Sequence, residues 1–193
     1  MRHLVVMLKE PKVGMVKTRL GRDIGMVDAA WWYRHQTSRL LRRLENPRWK
    51  LWLSVSPDRA TAESRIWPAH LPKRPQGGGD IGERMLGALR GPANGPVCVI
   101  GSDIPGITAS AIDRAFKALG DHDFVFGPAE DGGFWLVGAK RATALPVGMF
   151  KDVRWSTEHA LSDSVASLGG SRIAYVDRLC DVDTAADLQR ISK

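Results

Sequence analysis

Cysteine is scarce in this chain: two occur in 193 residues, Cys98 and Cys180. Neither stands in a Cys-x-x-Cys pair or beside a histidine, which sets aside a disulfide scaffold and a thiolate zinc site. Long apolar runs are also missing. None approaches the roughly 20 residues needed to cross a bilayer. The opening Met1–Leu8 holds about five apolar residues in a row, too few for a secretory core, and reads as a first strand. Cytoplasm is therefore the expected compartment, with no membrane partner. His35, His70, His122 and His159 lack metal-binding spacing. No Gly-Lys-Ser/Thr closes a phosphate loop, and the loop at 9–19 is not a Gly-x-Gly-x-x-Gly fingerprint. Ser102 and Ser156 lack the Gly-x-Ser-x-Gly elbow of a serine hydrolase. Repeats and low-complexity tracts are absent.

What remains is an ordinary globular composition, 44% hydrophobic and 25% charged. A chain of this length fits one domain, which buries about 70% of its unfolded surface. The net charge of +7 is unevenly spread. Residues 1–75 hold 16 of the 28 Lys and Arg but 6 of the 21 acids, for a balance of +10; residues 76–193 carry −3. Part of this excess, Arg34 to Lys50, reads as the solvated face of a helix.

Buried strands are expected at 3–8, 51–55 and 96–100, with further strands at 123–126, 134–137 and 171–176. Amphipathic spacing predicts a helix over 26–45, after a loop at 9–19 punctuated by Pro11 and Gly14. Shorter helices are expected at 58–66, at 80–89 with Asp80 and Glu83 as a capping box, and at 108–119. Two more follow: 156–168 capped by Ser156, and 183–190 capped by Asp183. Residues 68–79 read as loop. Strands alternating with helices predict a mostly parallel sheet covered on both faces, with one antiparallel addition near 123–137.

Five segments carry candidate chemistry. Lys9, Lys17 and Arg19 surround Gly14 after the first strand, where a tight turn and cations suit phosphate. Asp103 follows strand 96–100, where α/β sheets bind ligands, and is a hard oxygen donor for Mg²⁺; the same segment is also good turn chemistry. Glu130, Asp131, Gly132 and Gly133 form either a substrate loop or an Asp-Gly hairpin turn. Asp181 and Asp183 reach a shared cation or cap a helix. Gln76 to Asp80 reads as a loop over a ligand.

Taken in order, Lys9–Leu20, Gln76–Met85, Gly101–Pro105, Gly127–Gly138, Val153–Thr157 and Asp181–Thr184 resemble the rSAM/selenodomain-associated transferase 1 family, a glycosyltransferase-like group. The chain is similar more broadly to the nucleotide-diphospho-sugar transferase superfamily, the GT-A fold, and distantly to the phospholactate and molybdenum-cofactor guanylyltransferases. The resemblance implies a three-layer α/β/α sandwich with a Rossmann-like, mostly parallel mixed sheet. It implies a transferase taking a nucleoside triphosphate or nucleotide sugar, with Mg²⁺ or Mn²⁺, and passing a nucleotidyl or glycosyl group to a small-molecule acceptor. Lys9, Gly14, Lys17, Arg19, Gln76, Asp80 and Ser102 would bind the nucleotide, and Lys17, Arg19 and Asp103 would be catalytic. Asp103 and Asp183 would hold the metal; Glu130, Asp131, Gly132 and Gly133 would line the acceptor side. Many sugar transferases carry Asp-x-Asp where Gly101-Ser-Asp103 has one carboxylate, which favours the nucleotidyltransferase-like branch. A homodimer is compatible with this reading. The contrasting class is a nucleotide- or nucleic-acid-binding module without turnover, with the basic amino-terminal part as its support.

Overall fold

A computed structural model describes residues 1–92, 94–141 and 144–191. Seven strands form one sheet: β1 (His3–Lys9), β2 (Lys50–Ser56), β3 (Lys73–Pro75), β4 (Val97–Ile100), β5 (Phe124–Pro128), β6 (Phe134–Ala139) and β7 (Ile173–Tyr175). Their order is β3-β2-β1-β4-β6-β5-β7. All neighbouring pairs are parallel except those of β6, which runs antiparallel to both β4 and β5. The short loop between β5 and β6 forces this hairpin, because a parallel return needs a crossover of a dozen or more residues.

Alternation along β1 sorts its side chains to two faces. Leu4, Val6 and Leu8 join one core with Leu40, Leu41 and Leu44 of α2 (Met26–Leu44) and Ile112 and Phe116 of α5 (Ala109–Ala118). Val5 points the other way, into a core with Met85 and Leu89 of α4 (Ile81–Arg90). Leu161 and Val165 of α6 (Ala160–Ala166) pack against that second core. The result is the three-layer α/β/α sandwich expected from the βα alternation. Strand β4 is buried along its whole length.

Local chemistry explains where expectation and structure part. Thr18–Ile24 is a helix, α1, which takes Thr18 and Arg19 from the expected 9–19 loop and fills the unassigned stretch after it. Its seven residues are too few to display a period, and it is held by Leu20 and Ile24 packing on Ala29 and Val182. Gly25, at φ +95°, separates it from α2 in a conformation that costs glycine little. Strand β3 lies inside the expected 68–79 loop. It is a three-residue edge strand created by pairing with β2, and its Lys, Arg and Pro are edge residues. The helix expected from 156 starts only at Ala160: Asp152 and Ser156 have positive φ, so Ser156 is no cap. The last helix is α7 (Ala185–Ile191). Thr184, not Asp183, sits in its reciprocal cap: Thr184 N donates to Asp187 Oδ2 at 2.8 Å, and Asp187 N donates to Thr184 Oγ1 at 3.3 Å. The short helix α3 (Ala60–Glu63) matches the expected 58–66 segment.

The capping box of α4 is present in full. Asp80 Oδ1 accepts from Glu83 N at 2.8 Å, and Glu83 Oε2 accepts from Asp80 N at 2.9 Å. Thr108 caps α5 through Ala111 N. Asp80→Ala removes half of the α4 box and is expected to cost about 1 kcal/mol, or roughly 2–4 °C in thermal midpoint. Thermal unfolding followed by circular dichroism measures it; an unchanged midpoint would mean that the box contributes nothing.

Candidate functional site

The strand order turns at β1, which has β2 on one side and β4 on the other. Loops leaving the carboxyl ends of β1 and β4 therefore diverge and open a crevice, the usual ligand position in such sheets. Side chains stitch its floor. Gln76 Nε2 donates to the carbonyls of Leu8 and Ser54, both at 3.0 Å. Tyr33 Oη accepts from Lys9 N at 2.9 Å and shares a 2.8 Å hydrogen bond with Ser102 Oγ. Arg43 of α2 donates to the carbonyls of Pro105 and Ile107, pinning the loop after β4. The cleft has a volume of about 430 Å³ and is lined by Lys9, Lys17, Arg19, Gln76, Ser102 and Asp103 among others.

Lys17 is its centre. The residue occupies the left-handed region, φ 47° and ψ 45°, just before α1. A non-glycine residue there carries strain of order 1 kcal/mol and persists only where its surroundings hold it. What holds it is charge. Lys17 Nζ lies 2.6 Å from Asp103 Oδ2 and 2.7 Å from Asp183 Oδ1, with its side chain only 6% exposed. Burial works against the ammonium, but the two carboxylates outweigh it and raise the pKa above the ordinary lysine value. Arg19 reaches Asp183 Oδ2 at 3.2 Å from an exposed position. The segment carrying Asp183 is tied down by Val182 N donating to the Asp103 carbonyl.

A third carboxylate completes this corner. Asp103, Asp181 and Asp183 each offer an oxygen within 4.8 Å of the others. Three hard oxygen donors suit Mg²⁺ or Mn²⁺ better than a soft metal. Lys17 competes for two of them, so the chain carries its own counter-ion at the place a divalent cation would take. Among the described residues Asp181 makes no ion pair, and burial, then Asp183 and Asp103, push its pKa up to about 6.

A second lobe of about 250 Å³ opens on the far side of Asp103, lined by Asp131, Gly133, Phe134, Trp155 and Asp181 among others. The substrate-loop residues are thus split. Asp131 and Gly133 line this lobe, and Asp131 Oδ1 accepts from Gly133 N at 2.9 Å. Gly132, at φ +85°, lies so close to the Glu158 backbone that a Cβ would collide with it. Glu130 turns to Arg190 at 3.2 Å and to the Cys180 thiol. Gly14, Asp80, Glu130 and Gly132 line neither lobe. The spacing places Tyr33 on a helical stripe and Phe134 in a strand, and Trp155 stands in the Val153–Thr157 motif without a role; an aromatic in such a position gives no sequence sign of facing a cleft.

Asp181 also sets a pH dependence. Its folded pKa is raised, so between about pH 4 and 6 the native state binds more protons than the unfolded one. Its stability contribution is fully present at low pH and is lost as pH rises through 6. In metal-free protein, Asp181→Asn is expected to be more stable than wild type at pH 7.5, with the gap closing below pH 4. Denaturant titrations across this range test it, and a pH-independent gap would contradict it.

The model for a family described as uncharacterized proteins conserved in bacteria (DUF2064) matches residues 40–157. No curated protein sequence matches the chain. Among solved structures, a candidate nucleotide-diphospho-sugar transferase from Desulfovibrio desulfuricans is 27% identical with a TM-score of 0.85, over 98% of this chain and 85% of that one. The 4-diphosphocytidyl-2C-methyl-D-erythritol synthase of Anaerococcus prevotii is 9% identical with a TM-score of 0.62, over 100% of this chain and 99% of that one. The Rv0371c protein of Mycobacterium tuberculosis, in complex with manganese, is 15% identical with a TM-score of 0.55, over 98% of this chain and 96% of that one. The last two likenesses are of fold. The match over residues 40–157 spans the Asp103 loop and most of both cores, and on it the chain belongs to the DUF2064 family.

Proposed function

We propose that this protein is a metal-dependent transferase of the nucleotide-diphospho-sugar transferase kind, in the branch of the rSAM/selenodomain-associated transferases. It would take a nucleoside triphosphate or nucleotide sugar and pass a nucleotidyl or glycosyl group to a small-molecule acceptor. The observation that carries this reading is Lys17. A nearly buried ammonium bridges two carboxylates at the sheet's switch point, beside the basic loop of Lys9 and Arg19. The likeness to the Desulfovibrio protein supports the same class.

On this reading Lys9, Lys17 and Arg19 face the donor phosphates, Lys as a point charge and Arg as a fork. Gly14 shapes the loop that carries them. Ser102 and Gln76 hold the floor, and Asp80 positions α4 beside the cleft. Asp103 and Asp183, with Asp181 added, would hold Mg²⁺ or Mn²⁺. When bound, that ion neutralises charge on the leaving pyrophosphate or nucleoside diphosphate. Asp131 and Gly133 would meet the acceptor directly; Glu130 and Gly132 would support that loop. The nucleic-acid alternative draws less support, because Arg43 and Arg48 of the basic cluster are committed internally, to backbone carbonyls and to Asp113.

Thermal-shift measurements with nucleoside triphosphates, diphosphates and nucleotide sugars, with and without Mg²⁺ or Mn²⁺, test the reading. A ligand at one hundred times its Kd adds about 2.7 kcal/mol, or roughly 5–10 °C. A metal-dependent, base-selective shift is expected; no shift with any nucleotide would overturn the reading. Lys17→Ala leaves Asp103 without its ammonium and Asp183 with only the exposed Arg19, and is expected to cost on the order of 2 kcal/mol in metal-free protein. Added Mn²⁺ should recover part of that loss, while turnover stays about 10²–10³ below wild type. Wild-type turnover in this variant would remove Lys17 from the mechanism.

A further inference from the structure

We propose that the second lobe receives an acceptor that bears hydroxyl or amino groups and no phosphate. The inference rests on the reading of the first lobe as the nucleotide's and adds the acceptor's chemical class.

The two lobes divide the charge between them. Lys9, Lys17 and Arg19 line the first. Among the described residues lining the second there is no Lys, Arg or His, and three are carboxylates: Asp103, Asp131 and Asp181. Arg154 and Arg190 are engaged elsewhere. Arg154 grips Asp163 through two hydrogen bonds of 2.8 and 2.9 Å, and Arg190 is held by Glu130 and Asp187. Asp131 and Asp181 make no ion pair among the described residues. A phosphate monoester brings about −1.5 to −2 charges at neutral pH. In this lobe it would meet like charge and no fork or ammonium to receive it. A cation held by Asp103, Asp181 and Asp183 would leave Asp131 uncovered on the lobe's wall.

The remaining lining is the complement of a carbon skeleton with polar hydrogens. Phe134 and Trp155 stand edge to face, with ring centroids 6.3 Å apart, and Met85 and Ile104 add apolar surface. Aromatic faces take a sugar's C–H face or an ammonium group. Carboxylate oxygens only accept, so they select O–H and N–H donors. Asp131 spends one oxygen on Gly133 N and has acceptor capacity left. The volume of about 250 Å³ is below that of drug-sized sites and suits a small acceptor.

Matched probe pairs test this: glycerol and glycerol 3-phosphate, glucose and glucose 6-phosphate, glucosamine and glucosamine 6-phosphate. Binding is followed by NMR through the Trp155 indole N–H, assigned with Trp155→Phe, with Mg²⁺ and a saturating nucleotide present. The unphosphorylated member of at least one pair should bind roughly tenfold more tightly or better than its partner. Glucose against glucosamine separates a hydroxyl acceptor from an amino one. Asp131→Lys should close or reverse the gap. If that variant does not fold, Asp131→Asn, which keeps an oxygen for Gly133 N, should narrow it. Tighter binding of phosphorylated members, or no probe moving the Trp155 signal, overturns the proposal. Failure of every nucleotide to bind the same sample sinks the first-lobe reading instead.

Discussion

Everything at this site depends on one buried ion contact. Lys17, Asp103 and Asp183 come from three loops far apart in sequence, and they meet because an ammonium that is 6% exposed must have counter-charge. The contact fixes the left-handed backbone at Lys17, and with it the start of α1 and the course of the basic loop. It also brings the segment before α7 against the loop after β4, where Val182 N finds the Asp103 carbonyl. Desolvation makes the arrangement costly unless all three charges stay together. A site of this kind suits a polyanion and its cation, since either can take over part of the contact.

The sheet supplies the frame and little of the chemistry. Its parallel strands, buried on both faces, put their carboxyl ends on one side, and the turn in strand order beneath Lys17 opens the cleft. The hairpin of β5 and β6 extends that cleft. Its loop carries Asp131 and Gly133 to the far side of Asp103, and Phe134 and Trp155 wall it there. The cations of the first lobe, Lys9, Lys17 and Arg19, come from the amino-terminal part, and Asp131 and Gly133 of the second from the β5–β6 loop.

Much of the frame was legible beforehand. Continuous apolar runs mark β1, β2 and β4, the Asp80–Glu83 spacing marks α4, and the place of Asp103 after a buried strand marks the site. What escaped reading was made by tertiary contact. Strand β3 exists because β2 offers it an edge, and α1 because Leu20 and Ile24 find Ala29 and Val182. Asp183 reads as a cap, yet Thr184 holds that place and leaves Asp183 for Lys17. Glu130 and Asp131 are adjacent in sequence but diverge, one to Arg190 and the other to the second lobe. A turn fixes which way each side chain leaves, and composition does not encode that.

On the proposed reading the lone carboxylate of Gly101-Ser-Asp103 favours nucleotidyl transfer, and the second lobe, with no cation among its described lining residues, disfavours a phosphorylated acceptor. Both hold together if the acceptor nucleophile is a hydroxyl or amine. The central claim, that the Lys17 corner is a cation and phosphate site, is tested most directly by a crystal structure grown with Mn²⁺ and a nucleotide, using manganese anomalous scattering. The account predicts an anomalous peak among Asp103, Asp181 and Asp183, with Lys17 Nζ turned to a phosphate oxygen. Nucleotide bound elsewhere, with Lys17 still bridging Asp103 and Asp183 and no peak beside them, would contradict it.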